Sequence, residues 1–202
     1  MAKRLIIGCG RATSLVHNPL ASPSSSMESP SNYITHRHRS KEEGDYTLDI
    51  SPLMYPDILG DITELGFASK VSERFNLILG ENLPGDLFLD ERLTYSLGNI
   101  NTLLVAGGYF LLRCGGGMRV VQSETAPMRV MVSRESIFGD IKDCLVKTYR
   151  YEYLGQKAVH YDLTHETYHG TEDLVTGKVT THVEQTKTPW DPDFETFRKP
   201  LG

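Results

Sequence analysis

The chain has 202 residues, 39% of them hydrophobic, with a formal net charge of -5 and a pI near 5.8. That length supports the core of one α/β domain with a modest appendage rather than two independent domains. The acidic balance argues against a protein held on nucleic acid by bulk electrostatics. The odd cysteine count, with Cys9, Cys114 and Cys144 far apart, excludes a disulfide framework or a zinc knuckle.

Taken in chain order, Leu5-Ile6-Ile7 followed by Gly8-Cys9-Gly10 reads as a buried parallel strand that stops in a tight glycine turn. From Arg11 to Glu43 the apolar pattern dissolves into Ser- and Pro-rich sequence, predicting a long loop insertion whose residues 17–32 are mobile. Positive charge gathers here, because Lys3, Arg4, Arg11, Arg37, Arg39 and Lys41 face Glu28 alone in residues 1–41. Second and third strands are expected at 45–50 and 56–62, then a short helix over 64–74 and a fourth strand at 75–80. Leucines and isoleucines three or four apart from Asp86 to Leu104 predict a long helix stopped by Gly107-Gly108, before a fifth strand at 109–113. Farther on, a helix over 136–147 and a hairpin of 148–153 with 157–163 are expected. Residues 166–202 read as an extended tail anchored by Trp190 and Phe194. Strands alternating with helices imply a mostly parallel sheet that binds its ligand at the strands' carboxyl ends.

The residue types at those ends have legible chemistry. Glycines at 8 and 10 let the backbone approach a ligand closely, and a carboxylate at Asp49 suits two ribose hydroxyls. Glu81 and Asn82, just past the fourth strand, stand where a reacting group would be oriented or deprotonated; an acidic residue there is also an ordinary helix-start signal. His36 and His38 lack a third ligand at metal-site spacing and read as solvated loop residues, and no metal site is predicted.

Five ordered segments over residues 3–115 resemble the class I S-adenosylmethionine-dependent methyltransferases. RLIIGCGRA (4–12) is similar to the family's glycine motif, with Ala12 in place of the last glycine. Asp49 in YTLDIS is similar to the acid ending the second strand, and PDILGDI (56–62), with Asp61 and Ile62, resembles the segment beside the adenine. FNLILGENLP (75–84) resembles the fourth-strand motif that opens the active site, and LLVAGGYFLLR (103–113) the approach to strand five. The resemblance implies a Rossmann-like α/β fold with a long insertion after the first strand and a β-rich C-terminal part. It places domain boundaries at 1–165, with 11–43 as the inserted loop, and 166–202. It further implies S-adenosyl-L-methionine as cofactor, held by Gly8, Cys9, Gly10, Asp49, Asp61 and Ile62, with Glu81 and Asn82 toward the acceptor.

A methyltransferase of unknown acceptor, small molecule or protein, is the leading expectation. A fold that has lost catalysis and serves as a binding module is the second; an NAD(P)-dependent oxidoreductase, which shares the glycine turn and the acid, is the third. No apolar run approaches the roughly 20 residues of a membrane span. The expected location is the cytoplasm, or a host cytosol for an exported chain.

Overall fold

The computed structural model describes residues 3–8, 12–15, 33–39, 43–52, 56–122, 126–172 and 179–202. The strands are β1 (Arg4–Ile7), β2 (Ala12–Leu15), β3 (Tyr33–Arg39), β4 (Asp45–Asp49), β5 (Ile58–Leu59), β6 (Phe75–Leu83), β7 (Leu104–Cys114), β8 (Gly117–Gln122), β9 (Pro127–Val132), β10 (Glu152–Ala158), β11 (Tyr161–Glu172), β12 (Val179–Trp190) and β13 (Asp193–Arg198). Among the described residues the α-helices are α1 (Glu91–Leu103) and α2 (Arg134–Asp143). The chain forms two compact units, one of residues 1–9, 42–159 and 192–202, the other of 10–41 and 160–191.

The first unit is built on a seven-stranded sheet in the order β5-β4-β1-β6-β7-β13-β10. β1 pairs in parallel with β4 and β6, β4 with β5, and β6 with β7, so the five predicted strands share one parallel sheet. β13 runs antiparallel to both β7 and β10. In one row across the sheet, Leu5 lies opposite Tyr46 and Ile78, Ile78 opposite Phe110, and Phe110 opposite Phe197. This row joins Leu97, Ile100 and Leu103 of α1 and Ile137 and Ile141 of α2 in a single apolar core. Phe197 anchors β13 within it, stacked on Phe110 at 6.3 Å and packed on Tyr153 at 5.1 Å between ring centres.

Several expected elements differ in form. The third strand shrinks to Ile58–Leu59, because Asp57 turns back to accept from the N–H and hydroxyl of Thr47 at 2.8 and 2.9 Å. In place of a helix over 64–74 stands a 3-10 turn at Phe67–Lys70, where the Ala68 N–H goes to a side chain of α1 instead of a helical carbonyl. The helix expected from Asp86 begins at Glu91, after a separate turn at 85–88, and Gly107-Gly108 lie within β7. A lysine from the far end of the chain, not glycine, terminates α1: Lys199 Nζ donates to the carbonyls of Asn101 and Leu104 at 2.6 and 2.8 Å. Partial burial, with Arg74 nearby, lowers the Lys199 pKa from the usual lysine value. Lys199→Met, which strands the helix-end carbonyls, is expected to destabilise the fold by about 1–2 kcal/mol in a urea titration.

The hairpin expected around 154–156 is instead one bulged strand. β10 pairs with β13 and shifts register between Tyr153 and Gln156, so Gly155 marks a bulge. Glu195, buried on β13, bridges the irregularity by accepting from Tyr153 OH at 2.6 Å and Gln156 Nε2 at 2.7 Å. That hydrogen bond, with burial and the negative charge of Glu195, pushes the Tyr153 pKa up to about 12. The folded value lies above the ordinary tyrosine value near 10, so this stabilisation is whole below about pH 10 and is lost as pH rises through the folded value. Tyr153→Phe is therefore expected to lower stability at pH 8 and to lose its disadvantage progressively above pH 10, read from melts across pH.

The second unit is a four-stranded antiparallel sheet, β12-β11-β3-β2. It corrects the reading of 11–43 as loop throughout, since 12–15 and 33–39 are strands, and that of 166–202 as a tail, since 161–172 and 179–190 form a paired ladder. The boundary expected at 165/166 is replaced by 159/160 and 191/192. Thr-, Tyr- and Val-rich segments have strand propensity without apolar alternation, so periodicity passes over them. Phe194 is fully buried as an anchor of β13. The expected mobile stretch 17–32 and the Trp190 side chain lie outside what the structure describes.

Candidate functional site

Strands β1, β4 and β5 run one way across the sheet and β6 and β7 the other, so the order reverses between β1 and β6, where open α/β sheets bind ligands beyond the carboxyl ends. A cleft of about 230 Å³ lies there, lined among others by Gly8, Asp49, Asp61, Ile62, Leu83 and Leu87.

Each wall has a local cause. Gly8 leaves β1 with φ +74°, and its N–H donates to Leu48 O at 3.3 Å. Asp49 closes β4; its Oδ1 accepts from Ser51 N–H at 2.8 Å, and its carbonyl accepts from Gly60 N–H at 3.0 Å. Asp61 Oδ1 accepts from both the N–H and the hydroxyl of Thr63 at 2.8 Å. In each carboxylate one oxygen is fixed by its own turn, and Oδ2 has no hydrogen bond among the described residues. The remaining surface is mostly aliphatic, from Ile7, Leu48, Ile62, Leu83 and Leu87.

The sequence-predicted residues are thus brought together in part. Gly8, Asp49, Asp61 and Ile62 share the cleft. Glu81 is at the same sheet edge and buried, with its carbonyl beside Gly8, but it does not line the cleft. It alternates with Gly80, whose register partners Ile7 and Leu112 flank it on the neighbouring strands. Cys9, Gly10 and the Asn82 side chain lie outside the described residues. Gly116 and Gly117 serve close packing: a Cβ on Gly116 would fall 3.0 Å from Val132 O, and one on Gly117 2.9 Å from Asp86 N and 3.0 Å from the Gly85 carbonyl carbon.

Sequence reasoning missed Leu83 and Leu87 as walls, and two buried polar residues of α1 behind them. Asn99 Nδ2 donates to the carbonyls of Ile62 and Glu64 at 2.8 and 2.7 Å, and its Oδ1 accepts from Ala68 N–H at 3.0 Å. Ser96 Oγ donates to Leu87 O at 2.8 Å. The available signal was a serine and an asparagine three positions apart on a helix face otherwise read as apolar. Elsewhere, Cys114 and Cys144 are free thiols with pKa raised by burial, which disfavours the reactive thiolate. No helix among the described residues is long and apolar enough to cross a membrane.

No protein-family model matches the chain, and no curated protein matches it. Solved structures similar to it include the N-methyltransferase NodS from Bradyrhizobium japonicum WM9, 12% identical, covering 98% of this chain and 86% of that one at a TM-score of 0.41. The glycopeptide N-methyltransferase MtfA, solved with S-adenosyl-L-homocysteine, is 9% identical over 99% of this chain and 84% of its own, at 0.44. A SAM-dependent methyltransferase from Methanosarcina mazei is 10% identical over 100% and 93%, at 0.42. Likenesses this distant carry nothing about activity or substrate. The fold stands on its own topology: numbered in chain order within the sheet, the strands run 3-2-1-4-5-7-6, with the seventh reversed and inserted beside the fifth. That arrangement is a Rossmann-like α/β fold with a mostly parallel sheet.

Proposed function

We propose that the chain binds S-adenosyl-L-methionine at the carboxyl edge of its parallel strands and acts as a methyltransferase on an acceptor that is a small molecule or a protein. The observation that carries this reading is the meeting of Gly8, Asp49, Asp61 and Ile62 in one cleft at the reversal point of a methyltransferase-type sheet. The fit is chemical. Two half-buried carboxylates, each with one oxygen held by its turn, suit the hydroxyls and amino group of a nucleoside, and the aliphatic walls suit a flat base. A volume near 230 Å³ is below the roughly 300–1,000 Å³ of whole small-molecule sites, so the described walls frame the nucleoside end.

In this reading Asp49 accepts from the ribose hydroxyls, Asp61 and Ile62 border the base, and Gly8, with Cys9 and Gly10 after it in sequence, is assigned to the amino-acid end. The bound cofactor supplies an electrophilic methyl group on a sulfonium, a transfer that needs alignment more than acid-base assistance. Glu81 and Asn82 are assigned to the acceptor side, where the Glu81 carboxylate takes up the nucleophile's proton. No metal enters the scheme. The reversed strand beside the fifth favours this reading over a dinucleotide-dependent oxidoreductase, whose sheet runs 3-2-1-4-5-6.

One observation favours a second reading, a binding module without catalysis. Among the residues described between Gly8 and β4 stand two strands, β2 and β3, whereas it is a helix N-terminus that ordinarily faces a bound anion after such a glycine turn. Calorimetric titration with S-adenosylmethionine, S-adenosylhomocysteine and NAD separates the readings. Binding of the first two, with none of NAD, supports the proposal. No binding of either at millimolar concentration overturns it and leaves the module as the better account.

A further inference from the structure

Both walls of the cleft are held from one helix. α1 buries Leu97, Ile100 and Leu103, and inside that apolar stripe stand Ser96 and Asn99, 0% and 4% exposed. Three positions apart, they lie on one helix face. A buried amide is tolerated only when its groups are bonded, and every bond found for Asn99 goes to a single loop: Ile62 O, Glu64 O and Ala68 N–H. That loop carries Asp61 and Ile62 into the cleft, while its tip is open to solvent, with Leu65 73% exposed. Ser96 reaches the other wall through the carbonyl of Leu87.

We propose that Asn99 is a positioning residue for the nucleoside end of the cleft, fixing where Asp61 and Ile62 stand before ligand arrives, and that Ser96 does the same for Leu87. The inference rests on reading the cleft as an S-adenosylmethionine site. Without the amide, three backbone groups of a solvent-facing loop lose their partner, and the ligand has to order that loop on binding. A side chain bonded three times to a neighbouring loop sets geometry as well as stability, because each bond constrains a different residue of the loop.

The test is Asn99→Asp, in which the carboxylate still accepts from Ala68 N–H but faces two carbonyl oxygens with nothing to donate. S-adenosylhomocysteine affinity is titrated well below the variant's unfolding temperature, together with amide exchange of the unliganded protein. The expected result is affinity at least tenfold weaker at pH 8, with a smaller deficit at pH 5, because burial against two carbonyl oxygens raises this carboxyl's pKa and its protonated form donates to one of them. Exchange protection should fall at residues 64–68 while β1 and β6 keep theirs. Should this variant fail to fold, Asn99→Ser takes its place, with affinity and exchange at 64–68 read at pH 8, and Ser96→Ala, which frees the carbonyl of Leu87, is read by affinity alone. Unchanged affinity in a folded variant, or protection lost evenly across the sheet, overturns the inference. If the wild-type protein does not bind S-adenosylhomocysteine, the methyltransferase reading fails. Exchange then decides alone: selective loss at 64–68 supports Asn99 as the loop's anchor, and unchanged protection overturns it.

Discussion

Asp49→Ala is expected to weaken S-adenosylhomocysteine binding by at least tenfold while leaving the protein folded. Hydrogen bonds to a charged group contribute about 1.5–3 kcal/mol each, and two ribose hydroxyls are assigned to this carboxylate. Tenfold, about 1.4 kcal/mol, is therefore the conservative end, since water takes over part of the work in the open variant. The fold loses only the bond from Ser51 N–H, at a partly exposed turn where about 0.5–1.5 kcal/mol is at stake. Asp49→Asn keeps an acceptor for Ser51 but removes the charge, so its affinity should fall between wild type and Asp49→Ala. The measurement is calorimetric titration beside a urea melt. If Asp49→Ala binds as tightly as wild type, the ribose site is elsewhere, although the fold assignment stands.

What was legible in the sequence was the part where burial and local pattern coincide. Leu5-Ile6-Ile7 is a central parallel strand, covered on both faces, so a continuous aliphatic run marks it and Gly8 marks its end. Asp49 and Asp61 were legible for a related reason: a carboxylate just past an aliphatic run sits at the carboxyl edge wherever strands are parallel. The antiparallel part was not legible. β13 enters the sheet between strands distant in sequence, and Phe194 and Phe197 alone gave little to distinguish it from an anchored tail. Nor does β11 show a periodic apolar face, since its order comes from pairing with β12 and with β3, the latter more than a hundred residues earlier. Asn99 was invisible for a third reason. Helical periodicity registers where apolar residues fall, and it is silent about a polar residue buried because a loop's backbone needs it.

Gly8→Ala is expected to be the most damaging small substitution at the site, destabilising the fold by about 2–5 kcal/mol. Two effects add. An alanine held near φ +74° is strained by roughly 1–2 kcal/mol, because its Cβ approaches the following carbonyl. The Cβ would also fall 2.5 Å from Leu83 Cδ2 and 3.1 Å from the Glu81 carbonyl oxygen, an overpacking of about 1–3 kcal/mol in a well-filled core. Gly66 separates the two effects: its φ is +76°, yet nothing lies within 4 Å of where its Cβ would be, so Gly66→Ala carries the backbone strain alone. The difference between the two variants in urea titrations isolates packing against β6. Leu83, 2% exposed, is the side chain that has to move, and Leu83→Ala should cost about 2–5 kcal/mol by itself through the cavity it leaves. In the double variant the new methyl occupies part of that cavity, so Gly8→Ala should be much less harmful in the Leu83→Ala background than alone, a favourable coupling of about 1 kcal/mol or more. Equal losses for Gly8→Ala and Gly66→Ala, with no coupling to Leu83, would mean that the turn is not packed against β6 and that the cleft's floor is looser than these contacts require.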